Sequence, residues 1–163
     1  MDKIPITRHQ LVAFFLPGFI FILFAFIACQ QINSLTVFMD YTNDVSLFIA
    51  VVALILSFAI GILFDGIRDG FLESIWDNFK PINWKYFNNP NKDEIEGLYL
   101  RFYTYYTFDL NLSISNIFLI IIFLSFNYTN KFVWIVLIIS TIISIVDACS
   151  LRKIIREITN KNN

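Results

Sequence analysis

Apolar positions along this chain gather into four runs, 11–29, 46–64, 108–126 and 132–149, each nearly free of charge. A helix needs ~20 mostly apolar residues to cross a hydrocarbon core of about 30 Å, and all four runs are close to that length. Lipid offers no partner for a bare N–H or C=O, so a spanning segment must be a helix or part of a closed barrel. None of the runs shows the period-2 alternation of a barrel strand. The pattern predicts an all-α integral membrane protein with four transmembrane helices in one domain, 1–163.

Between the second and third runs the pattern changes rather than stopping. No proline occurs from Asp65 to Lys80, and Pro81 then ends the helix. Asp65, Asp69, Glu73 and Asp77 recur every fourth residue as an acidic stripe, and Ile67, Phe71, Ile75 and Phe79 occupy another side. A helix from Val45 to Lys80 runs roughly 54 Å at 1.5 Å per residue, or about 20 Å more than the hydrocarbon core. Pro81 to Asn91 reads as an Asn-rich loop. A helix restarting at Asn91 to Asp93, with acids in its first turn, leads into the third run. Helices 2 and 3 are thus expected to extend as a hairpin over 65–107.

Charge sets the orientation. Lys3 and Arg8 precede the first run, and Arg68, Lys80, Lys85, Lys92 and Arg101 fill the long connection. Arg152, Lys153, Arg156 and Lys161 form the tail; Lys131 alone lies elsewhere. Basic residues stay on the cytoplasmic side, so both termini and the hairpin are expected in the cytoplasm of a bacterial inner membrane.

Composition agrees with a bilayer: 57% of residues are apolar and mean hydropathy is +0.66, more than a soluble domain of 163 residues can hide. A net charge of −1 argues against direct nucleic-acid binding. Abundant Asn, Ile, Phe and Lys suit a bacterial gene of high A+T content. Cys29 and Cys149 are expected at opposite membrane faces, which disfavours a disulfide. Phe26-Ile27-Ala28-Cys29 is loosely similar to a lipoprotein cleavage site but lacks the usual Leu, so an uncleaved anchor is expected. Tyr99, Phe102, Tyr103, Tyr105, Tyr106 and Phe108 read as an aromatic belt at the membrane boundary.

Polar residues inside the runs form two stripes. Asp109, Ser113 and Asn116 share one face of the third helix, and Ser140, Ser144 and Asp147 share one face of the fourth. In an antiparallel pair Asp109 is level with Asp147, Ser113 with Ser144 and Asn116 with Ser140. Such residues point into the protein. They are read as interhelical hydrogen bonds or as a polar path, with Arg101 or Arg152 as the nearest basic partners. Ala53, Ser57, Gly61, Gly66 and Gly70 are small residues at four-residue spacing apart from the step between Gly61 and Gly66, suited to close helix packing within or between subunits. Pro17-Gly18 predicts a kink in the first helix.

Catalytic chemistry finds little footing. His9 is the only histidine, which excludes a multi-histidine metal site and an HExxH protease. No Gly-rich phosphate loop is present, and neither cysteine has a histidine base nearby. Asp65, Asp69, Glu73 and Asp77 offer carboxylates for Mg²⁺ or Mn²⁺. Asp65-Gly66 is faintly similar to the start of the CDP-alcohol phosphotransferase motif, but the Ala-Arg that should follow is missing. A face that docks a partner is the preferred reading, with no cofactor or metal. Asp69, Glu73, Trp76, Asp77, Trp84, Tyr86 and Phe87 are its expected contact residues, since exposed aromatic residues mark binding hot spots.

In size, helix count and placement of the long basic connection, the whole chain resembles the membrane subunit of Kiwa-type bacterial phage-defence systems. CRISPR-associated membrane accessory proteins are a comparable group. The resemblance is one of hydropathy pattern, with no diagnostic motif. The degenerate HEPN motif of one accessory group needs an Arg several residues before a His, whereas this chain has Arg8-His9. The resemblance implies a homo-oligomer, a tetramer, that recruits or restrains a cytoplasmic effector through the hairpin and responds to phage at the envelope. The expected function is therefore a non-enzymatic oligomeric scaffold or sensor. An oligomeric pore and a small metal-dependent membrane enzyme are the alternatives.

Overall fold

The computed structural model describes residues 8–32, 34–43, 47–83 and 102–161, and the described residues contain no strand. Helix α1 is Arg8–Cys29, α2 is Leu35–Asn43 and α3 is Leu47–Ile67. A π-helical stretch, Arg68–Glu73, continues α3 into α4, Ser74–Phe79. Helix α5 is Thr104–Ser125 and α6 is Lys131–Lys161. The segments Val12–Cys29, Leu47–Phe79, Thr104–Ser125 and Lys131–Asn160 are each long and apolar enough to cross a membrane.

Two elements differ from expectation. The connection after the first helix contains α2, whose start is capped by Ser34 Oγ accepting from Val37 N at 3.3 Å. The fourth run was expected to cross the membrane over 132–149, and its helix continues beyond that run to Lys161. Its extra turns are helical because they pack: Ile155 and Thr159 are fully buried, and Ile155 joins Ile82, Tyr106, Leu110 and Ala148 in one cluster. The hairpin expected over 65–107 is described as far as residue 83 and again from 102. Its tip, with Trp84, Tyr86 and Phe87, lies outside the described residues.

The principal packing runs in sequence from α3 to α1, from α1 to α5 and from α5 to α6. Where α1 crosses α3, the backbones nearly touch. A Cβ added to Gly18 would lie 2.0 Å from the Ser57 carbonyl oxygen, and one added to Gly61 would lie 1.9 Å from that of Phe14. The approach is reciprocal and has the geometry of paired Cα–H···O contacts. Ser57 is fully buried and returns its hydroxyl to Ala53 O at 2.7 Å. Ser57 and Gly61 therefore serve packing within the chain. Gly66 and Gly70 have open space where a Cβ would stand.

At one end, called here the closed end, α1, α5 and α6 converge on a wedge of Ala28, Leu119, Phe123, Tyr128 and Leu137. Phe123 packs on Tyr128 at 4.8 Å and edge-on to Trp134 at 5.5 Å between ring centroids. Hydrogen bonds then tie the two loops together. Tyr128 Oη donates to Ile32 O at 2.6 Å, Gln31 Nε2 donates to Phe126 O at 2.7 Å, and Trp134 Nε1 donates to Tyr128 O at 2.8 Å. Gln31 and Asn127 turn the chain with φ of 52° and 51°. Burial raises the Tyr128 phenol above its ordinary value.

The glycines differ sharply in what a methyl group would do. Gly18→Ala and Gly61→Ala should each cost at least about 1–3 kcal/mol, because a backbone carbonyl must move aside. Gly66→Ala and Gly70→Ala should leave the fold intact or stabilise it by up to ~1 kcal/mol through helix propensity. Thermal unfolding of the four variants in detergent would test this, and equal behaviour of the two pairs would rule out the proposed crossing.

Candidate functional site

The end opposite the closed end gathers the charges, and two arginines organise it. Arg68 follows α3 directly and is only 2% exposed. Its guanidinium reaches Asp65 Oδ1 at 2.7 Å, donates to Asp69 Oδ1 from Nε at 3.0 Å, and lies 3.3 Å from Glu73 Oε1. Tyr103 of the α5 approach lies under it, with the ring centre at 6.0 Å. An α-helix points residue i+5 away from residue i. The π-helical stretch Arg68–Glu73 widens the turn and carries Glu73 back to the Arg68 side.

Arg152 of α6 is the second hub, 5% exposed. It donates from Nη1 to Tyr106 Oη at 3.0 Å and from Nη2 to the Asp77 carboxylate and to Lys80 O, the last at 3.3 Å. It also stacks over Trp76, 5.2 Å from the ring centre. One side chain thus binds α4, the turn after it, α5 and α6. Asn83 Nδ2 adds a second tie to α6 through Thr159 O at 3.4 Å.

These hubs correct the solvated acidic face expected over 65–77. Glu73 is 8% exposed, Asp77 and Trp76 are half-buried against Arg152, and Asp69 is the most exposed of the four acids although bonded to Arg68. The face left outward is Phe71, Ile75 and Phe79, at 63%, 43% and 78% exposure. The cause is electrostatic: two guanidiniums removed from water draw the carboxylates inward. Tyr106, expected in an interfacial belt, is also fully buried, because its hydroxyl serves Arg152. Arg152 is in turn committed to Asp77 rather than to Asp109 and Asp147.

The two polar stripes meet in the antiparallel register that their spacing implies. Ser113 Oγ lies 2.9 Å from Ser144 Oγ, and Asn116 Nδ2 donates to Ser140 Oγ at 3.1 Å. These bonds join α5 to α6 and engage the serines and Asn116 of the stripes. Asp109 and Asp147 line a crevice of about 590 Å³ between α1, α5 and α6, walled by Val12, Leu16, Phe108 and Leu151.

Asn111 and Ser115 form a third polar face that went unread in the sequence. Both are fully buried against α1. Pro17 has no N–H, so the Ala13 carbonyl four residues earlier lacks its helical donor. Asn111 Nδ2 supplies one at 3.4 Å and also reaches Asp65 Oδ1 at 3.3 Å. Ser115 Oγ donates to Pro17 O at 3.0 Å. A signal was available: Asn111 and Ser115 are four residues apart, as a helix face requires, and a membrane-depth proline needs such a donor.

Among the described residues, no group of three or more His, Cys, Asp or Glu is placed to hold a metal ion. Asp65 and Asp69 already share the Arg68 guanidinium, which offsets the charge a divalent cation would need. No protein-family model matches the chain, nor does any curated protein or solved structure.

Removing Arg152 should expose the hub's role. Arg152→Met leaves Asp77 without its cation and should cost about 3 kcal/mol, the lower end for a broken buried pair, because the Asp77 side chain keeps 29% exposure. Adding Asp77→Asn should recover part of that loss. Ser144→Ala removes one interhelical bond and should cost only about 0.6 kcal/mol. Unfolding in mixed micelles would measure all three; a Ser144→Ala loss as large as that of Arg152→Met would contradict the ranking.

Proposed function

We propose that this chain is a multi-pass scaffold or sensor of a bacterial inner membrane. Both termini and the arginine-rich end face the cytoplasm. The chain assembles with itself, as a tetramer in the arrangement implied by the architectural resemblance. Its cytoplasmic end engages an effector protein, and defence against phage is the proposed setting. The supporting observation is the inverted polarity of the stretch after α3. Its acids turn inward to Arg68 and Arg152, while Phe71, Ile75 and Phe79 turn outward. Three large side chains at four-residue spacing are costly to leave in water and form the anchor pattern of a helix surface that another protein covers. Asp69, on the same stretch, keeps 54% of its side chain exposed and supplies a polar rim. The docking face in this reading is therefore apolar with one acid at its edge, rather than the acidic stripe.

Topology and docking have separate tests. In a background without Cys29 and Cys149, a cysteine at exposed Asn127 should react with an impermeant maleimide from outside intact cells. A cysteine at exposed Asn160 should react only after permeabilisation. The opposite result would overturn the orientation. For docking, Phe71→Glu combined with Phe79→Glu should abolish co-purification of a cytoplasmic protein from solubilised membranes and leave the chain in the membrane fraction. Undiminished capture would sink the docking face.

A further inference from the structure

Beside the Arg152 hub lies a small pocket of about 100 Å³ between α4 and the later turns of α6. Trp76 and Lys80 line one side, and Cys149, Arg152, Lys153 and Arg156 line the other. Four of these side chains are cationic and none is acidic. The acids nearby offset that charge only in part. Asp77 is engaged by Arg152, and Glu157 reaches Lys153 only at 4.0 Å, between side chains that are more than half exposed. A surface pair of that kind contributes little.

Arg152 adds an independent observation. It is 5% exposed and held in place by Tyr106, Asp77 and Trp76, yet its Nε is buried with no hydrogen-bond partner. A buried donor left unmade costs about 1–3 kcal/mol. A fixed guanidinium that lines a concavity together with three more cations suits an anion. A phosphate group offers the acceptor oxygens and charge that it needs. The pocket is too small for a nucleotide.

We infer that this pocket binds a phosphate group, and that the group belongs to the headgroup of an anionic phospholipid. The choice of lipid rests on the membrane orientation proposed above, which sets the pocket at the depth of cytoplasmic headgroups. Basic pockets at that level between membrane helices hold anionic lipid heads. The phosphate chemistry itself rests on the pocket alone.

The test uses the full chain in a mild nonionic detergent, with short-chain phosphatidylglycerol, phosphatidylcholine of the same chain length, and inorganic phosphate as probes. Phosphatidylglycerol should raise the thermal midpoint and phosphatidylcholine should not. Lys153→Gln with Arg156→Gln leaves Arg152 and its bonds in place and should weaken phosphatidylglycerol binding about tenfold or more. If the double variant has a lower midpoint without lipid, Lys80→Gln alone takes its place, with a smaller loss in the same direction. Inorganic phosphate that binds as tightly as the lipid would support the anion site and overturn the lipid as its source. Equal response to both lipids, or binding unaffected by the variants, would overturn the inference. Because the measurement is made in micelles, it is independent of the topology test.

Discussion

A guanidinium withdrawn from water must be surrounded by acceptors, since an unpaired buried charge costs several kcal/mol. Arg68 and Arg152, at 2% and 5% exposure, impose that requirement at the same end of the molecule. Much of the local geometry follows from it. The helix after α3 widens so that Glu73 reaches Arg68, α4 turns Asp77 toward α6, and Tyr106 leaves the surface to serve Arg152. The apolar face on the outer side is then a consequence of the pairing, because a helix that commits its acids inward has Phe71, Ile75 and Phe79 left to show.

Along the helices a different rule governs. Lipid tails are as apolar as leucine, so burying one apolar side chain against another gains little over leaving it in the bilayer. Cohesion in such a setting comes from close packing and from polar contacts. The α1–α3 crossing uses backbone approach at Gly18 and Gly61. The α1–α5 contact uses Asn111 and Ser115 on the carbonyls around Pro17. The α5–α6 contact uses Ser113 with Ser144 and Asn116 with Ser140. Each of the principal contacts thus has its own polar or close-approach device, and the broad faces of α3 and α6 remain apolar and outward.

What the sequence made legible divides along the same line. Apolar length is a property of one segment, and four helices long enough to span a membrane were readable from it. So was the pairing of Ser113 with Ser144, since two spacings and one short turn fix an antiparallel register. The length of α6 was not, because its last turns are neither apolar throughout nor marked by a stop, and they are held by Ile82 and Trp76 from elsewhere in the chain. The acidic stripe misled for a related reason. Four acids at four-residue spacing look like a solvated face when the helix is taken as regular and alone. A π-helical turn and a cation 75 residues away reverse that reading, and neither leaves a mark in the local pattern. Asn111 needed a joint reading with Pro17, two features 94 positions apart whose connection is one missing N–H.

The placement of Arg152 has a mechanical consequence. α3 and α6 are joined mainly through intermediaries, α1 and α5, along most of their length. At the basic end the intermediaries are bypassed: Asp77 and Lys80, carried on the continuation of α3, are bonded directly to α6. Relative sliding of α3 and α6 therefore cannot leave this end unchanged. It must either drag α4 along or separate Arg152 from Asp77, and separation leaves a largely buried ion pair unmade. In the arrangement the structure shows, the hub is intact and holds α4 against α6. Phe71, Ile75 and Phe79 ride on the same helical continuation, so the bonds of Asp77 and Lys80 to Arg152 also help to set the direction of the outward rings.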